Sequence, residues 1–247
     1  MPPIPRPFSQ QSVSDWMNQF QQAKTAEDRL VALQAIGALC PPADALPWTL
    51  LALRDPDETI RALGAKLAGN VAAADSKQTE PQLLSLLNDS DPDVRFESAR
   101  ALIRQKSAQA HLAVPVLLTF LDEDETHALM VAAVLNSLVD AEITAQAAND
   151  DLGPRIVRLL DHDRAEVREA VSQVFAKWPH LATACIDRLL PLLDDSEPVV
   201  REKIAYTLGH AGVANDDVTS ALRTASQDED TEVARVAAEA LQALSSR

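Results

Sequence analysis

The residues able to do chemistry are few and scattered. Five histidines are followed by Leu112, Ala128, Asp163, Leu181 and Ala211, so no His-Glu pair occurs. No HExxH, P-loop, GxSxG or GxGxxG pattern is present, which removes the commonest zinc-hydrolase, nucleotide and nucleophile-elbow chemistries. Cys40 and Cys185 lie in distant segments and make neither a disulfide framework nor a four-cysteine zinc site. Asp89, Asp91 and Asp93 have the spacing that opens a calcium loop. The glycine that should follow is missing, and Arg100 stands at the twelfth position, where a bidentate glutamate is needed. Trp16, Trp48 and Trp178 are expected as packing residues between helices rather than a ligand cage. The sequence therefore predicts no catalytic residue, no metal site and no cofactor.

What surrounds these residues is helical. Hydrophobic residues make up 47% of the 247, aromatics only 4%, and there are six glycines. Such a chain can bury a sizeable core and suits helices over sheets. No apolar run approaches the ~20 residues of a membrane span. The N-terminus has neither the basic start nor the apolar stretch of a signal peptide, so the expected compartment is the cytoplasm. A net charge of -15 disfavours nucleic acid as a partner.

The chain repeats itself. Asp91-Pro92-Asp93-Val94-Arg95 leads into Phe96 to Leu102, and Glu197-Pro198-Val199-Val200-Arg201 leads into Glu202 to Gly209. With the arginine as register mark, copies fall at 29, 61, 95, 128 or 129, 168, 201 and 234. The step is about 33 residues and lengthens to about 40 in the middle. An earlier apolar segment precedes each mark, and Pro47, Pro81, Pro115 and Pro154 sit where proline opens a helix. Each copy is thus helix A, a polar turn, then helix B. One such pair cannot bury its own apolar stripe, so neighbours must stack.

The pattern resembles the HEAT repeat, in the short bacterial form related to phycobilisome-lyase repeats, over about residues 10–245. The resemblance implies an all-α, right-handed α-solenoid (superhelix) of about seven HEAT-like pairs, with B helices lining a concave groove. Residues 1–9 are expected as a mobile Pro-rich tail. Residues 10–247 are expected to form a single solenoid with a longer connection near 140–151. HEAT-like hydroxylases hold two irons through His-Glu pairs, which this chain lacks. The implied function is a non-enzymatic scaffold or adaptor binding a protein or peptide; the alternative is a bilin lyase or cofactor-insertion chaperone subunit.

Charge locates the candidate surfaces. The A–B turns are acidic, which suits helix N-termini. Arg61, Arg95, Arg168 and Arg201 open the B helices and are expected to form a ladder with turn acids such as Asp57, Asp91 and Glu197. Ile60, Val94, Val167, Val200 and Val233 are expected between helices. Residues 94–106 carry +3, the most basic B segment, and 127–139 carry no charge. That uncharged helix is either buried on every side or meets a partner. The expected binding surface joins Phe96, Arg100 and Arg104 to Met130 and Val134, an apolar centre with an arginine rim. Its partner is expected to be acidic, or acid-flanked with an apolar anchor.

Overall fold

A computed structural model describes residues 8, 11–71, 73–120, 128–140 and 152–245. Among these every regular element is helical: α1 (Val13–Gln22), α2 (Ala26–Leu39), α3 (Pro42–Ala52), α4 (Glu58–Ala68), α5 (Ala73–Leu86), α6 (Pro92–Arg104), α7 (Ala113–Thr119), α8 (Ala128–Asp140), α9 (Leu152–Val157), α10 (Ala165–Lys177), α11 (Ile186–Leu189), α12 (Pro198–His210), α13 (Asp216–Ala225) and α14 (Thr231–Ser245). Short 3-10 segments at 110–112, 158–161, 179–184 and 190–194 extend the A helices of the middle repeats. The even-numbered helices are the B helices of the periodic sequence. The tail at 1–7 and the connection at 141–151 lie outside the described residues.

Contacts divide the chain into two compact units, Met1–Thr119 and Phe120–Arg247. The division falls inside the fourth copy, separating α7 from α8, and not at the longer connection. The first unit stacks α1/α2, α3/α4 and α5/α6 with α7; the second holds α8 and the pairs built around α10, α12 and α14.

Local chemistry sets the helix ends. Ser12 and Asp15 form a reciprocal capping box on α1. Thr25, Asp57, Asp91 and Asn215 cap α2, α4, α6 and α13 through side-chain oxygens that accept backbone amides. α6 ends in a Schellman turn: Lys106 N–H donates to Ile103 O and Ser107 N–H to Leu102 O, with Lys106 in the left-handed region at φ 51°.

The expected core valines and isoleucine are buried: Ile60, Val94 and Val200 are 0% exposed, Val167 and Val233 1%. Each contributes about 1.5–3 kcal/mol by leaving water. Consecutive B helices lie close. A Cβ on Gly209 of α12 would stand 2.4 Å from the Ala240 Cβ of α14, so only glycine permits that crossing.

Candidate protein-binding surface

One motif recurs in the turns. The first acid of an Asp-x-Asp or Asp-x-Glu triplet accepts the amide of the third residue: Asp55 from Asp57, Asp89 from Asp91, Asp195 from Glu197, Asp228 from Asp230. The same carboxylate takes a two-pronged arginine from the preceding repeat. Arg29 reaches Asp55, Arg61 reaches Asp89, Arg168 reaches Asp195 and Arg201 reaches Asp228, with donor–acceptor distances of 2.7–2.9 Å. The remaining nitrogen, Nη1, turns back to its own repeat. It donates to the carbonyls of Asp55 and Pro56 from Arg61, of Asp89 and Ser90 from Arg95, of His162 and Asp163 from Arg168, and of Asp195 and Ser196 from Arg201.

The receiving acids are therefore not Asp57, Asp91 and Glu197. Asp57 and Asp91 face their own helices as caps, and Glu197 stands at the N-terminus of α12 without a side-chain cap. Through the carboxylates the ladder ties each turn to the next one, while Nη1 holds the arginine's own turn. In the fourth copy Ala128 or Leu129 stands at the register position. Asp161, in the turn that follows, pairs instead with Arg188 of α11.

The four ladder pairs are well shielded, their side chains 5–19% exposed. Burial pushes the Asp89 and Asp195 carboxyls up, but hydrogen bonds from Arg61 and Arg168 and from the turn amides outweigh it, leaving both below the ordinary range. The hydrogen bond from Arg201 holds Asp228 down in the same way. The arginines rise correspondingly, first through the bonds to their aspartates.

The ladder arginines are thus engaged within the fold, and binding falls to other groups. Phe96 is 4% exposed and Val134 0%; both are core residues and offer a partner no surface. Met130 is half-buried on α8, in the second unit. Arg100 lies over the Phe96 ring, 5.5 Å from its centroid. It makes one long contact with Glu97 at 3.4 Å, and its buried Nε has no partner. Arg104, one turn on, is exposed.

Two residues that charge counting passed over belong to the same face. Leu63 and Leu67 of α4 are only partly buried, and Lys66 between them is exposed. The helical spacing of 63, 66, 67 and 70 could have flagged this stripe, but an apolar position on a helix does not announce whether it points inward. Among the described residues no three of His, Cys, Asp and Glu gather as metal ligands, and no helix is long and apolar enough to cross a membrane.

The family described as HEAT repeats matches residues 46–138 and 152–245. The chain belongs to the HEAT-repeat family. None of the curated proteins matches it. Among solved structures it is similar to computationally designed armadillo repeat proteins for modular peptide recognition, at 17% identity and TM-score 0.64, covering 80% of this chain and 99% of that one. It is also similar to the archaeal HEAT-like repeats protein of Thermococcus onnurineus NA1, at 13% identity and TM-score 0.57, covering 96% and 98%. The CpcE–CpcF phycocyanin lyase complex of Nostoc sp. PCC7120 aligns over 95% of both chains at 19% identity, with TM-score 0.48, too loose a likeness to argue from. The two closer likenesses place this HEAT chain in the all-α solenoid class.

Proposed function

We propose that this HEAT-repeat protein is a non-enzymatic scaffold that holds an acidic segment of another protein against the exposed face of α4 and α6. The observation that carries the reading is the state of Arg100. Four register arginines each grip a carboxylate with two nitrogens, whereas Arg100 has a single 3.4 Å contact and an unpartnered Nε. A guanidinium over an aromatic ring, partly exposed and tied by a single long contact, is suited to an incoming carboxylate. Arg104 and Lys66 add charge on the same face. Fold alone does not make a binding protein; the designed armadillo relatives made for peptide recognition are consistent with this use of a helical-repeat surface.

The test is affinity capture with the wild-type chain and with the Arg100→Glu, Arg104→Glu double variant, compared at equal melting temperature. A partner retained by the first and lost by the second, with binding that weakens as salt rises, supports the scaffold. Partners retained equally by both would refute it. A new absorption band after incubation with a linear tetrapyrrole would favour the bilin-lyase reading instead.

A further inference from the structure

The B helices of the first unit stack side by side in the order α2, α4, α6. A Cβ on Gly37 of α2 would stand 2.6 Å from Leu67 Cδ2 of α4, and one on Gly69, at the end of α4, would stand 3.3 Å from the Ala101 Cα of α6. Both crossings set a position eight past one register mark against one six past the next, so the three helices share one register. Two residues past the register mark they read Val31, Leu63 and Glu97; five past, Gln34, Lys66 and Arg100; nine past, Ala38, Asn70 and Arg104.

The chemistry differs along that order. On α2 the exposed positions past the register mark are Val31 (37% exposed), Gln34 and Ala38, with no charge; the exposed acids of α2, Glu27 and Asp28, lie before it in the first turn. On α4 a lysine lies between two half-buried leucines. On α6 Glu97 is followed by Arg100, which it meets at 3.4 Å, and by Arg104, and neither arginine grips a carboxylate with two nitrogens as the ladder arginines do. Arg104 has no ion pair among the described residues. Past the register mark the face thus carries no charge on α2 and two arginines against one glutamate on α6, within a chain whose net charge is -15.

We infer that this face reads an extended protein segment in one orientation, its apolar end over Val31 and Leu63 and its acidic end over Arg100 and Arg104. The inference rests on the scaffold reading and adds an order to it. Charge complementarity selects the occupant: a uniformly acidic segment would waste the α2 end, and a basic or purely apolar one would leave Arg104 without an anion and Arg100 with only its long contact to Glu97. Packed helices lie about 8–10 Å apart. Crossing from α2 to α6 covers about 16–20 Å, the reach of about five or six extended residues at ~3.3 Å each. A short linear motif suffices.

The probe is a fluorescein-labelled octapeptide with two leucines at one end and three aspartates at the other, read by anisotropy against the full chain. It is made in two further versions carrying a photo-crosslinker beside the leucines or beside the aspartates. The expected result is saturable binding, weakened at least tenfold by Arg100→Glu with Arg104→Glu and severalfold by Val31→Asp, all at unchanged melting temperature. The leucine-end crosslinker should map to residues of α2 and α4, and the aspartate-end one to α6. Crosslinks spread evenly or in the opposite order, with the arginine dependence intact, overturn the orientation and leave the scaffold standing. Binding indifferent to the arginine variants, or no binding of the probe, overturns the proposal.

Discussion

Arg61 donates from Nε and Nη2 to the two carboxylate oxygens of Asp89, each at 2.9 Å, across the boundary between one helical pair and the next. Its third nitrogen fixes the turn of its own repeat through the Asp55 and Pro56 carbonyls. One side chain thus sets both the local turn and the stacking. Arg61→Ala strands the Asp89 carboxylate, 10% exposed, and should lower unfolding free energy by about 2–4 kcal/mol. Urea denaturation measures it, and an Arg61→Ala/Asp89→Ala cycle should return a coupling of more than ~1 kcal/mol. A coupling near zero would mean that the pair only decorates the surface.

The same aspartates set the acid limit. Asp89, Asp195 and Asp228 sit below the ordinary value of 3.8 when folded. A carboxyl depressed in the folded state binds fewer protons there than in the unfolded chain. Its stabilisation is therefore present above the unfolded value and lost as pH falls through the folded one. Urea midpoints should hold level at mildly acidic pH and drop below about pH 4. Asp89→Asn should start lower and fall less steeply over that interval; an unchanged slope would contradict the assignment.

The last copy has Ala234 where the first three, the fifth and the sixth have arginine, and its amide bonds the Asp230 carbonyl as Arg61 N–H bonds Asp57. The neighbouring Arg235 is turned to Glu232 and Glu239. Ala234→Arg should therefore supply Nη1 to the Asp228 and Glu229 carbonyls, as the register arginines do in the earlier turns. The expected gain is about 0.5–1.5 kcal/mol, read as a melting temperature higher by a few degrees. A loss of stability would show that this turn differs from the rest.

Lys106 closes α6 at φ 51°, a conformation that costs a side-chain-bearing residue about 1 kcal/mol or more. Lys106→Gly should relieve it and stabilise by about 0.5–1 kcal/mol after the greater freedom of glycine in the unfolded chain is counted. Differential scanning calorimetry decides it: a lower melting temperature would mean that the Lys106 side chain contributes more than its backbone costs.

The helical pairs were legible because a stripe that must be buried against neighbours recurs at a fixed step. The ladder was legible only in part. Asp55 and Asp57, or Asp89 and Asp91, are alike as neighbouring turn acids, and both suit the N-terminal end of a helix. Only the stacked turns show that the first of each two faces the preceding repeat and the second its own amides. Phe96 and Val134 misled for a related reason: a helix rich in apolar residues reveals its stripe but not which members protrude. Leu63 and Leu67, partly exposed on α4, are ordinary core residues to any periodicity count. Arg100 stood out by charge, and its value to a partner became visible only against the paired arginines beside it.

The arginine ties also bear on how each unit responds to load. They all lie along the edge made by the A–B turns. The opposite edge carries the Gln105 bond to the Ala68 carbonyl in the first unit and an exposed Thr183–Ala211 bond of 3.3 Å in the second. Directional bonds between charged groups fail within about an ångström of stretch, whereas aliphatic contacts slide before they part. The turn edge should behave as an inextensible spine and the second unit's far edge as loose pages. Bending that unit then fans its helices apart on one side while the turns keep their spacing, so a pulling force would tear the spine last.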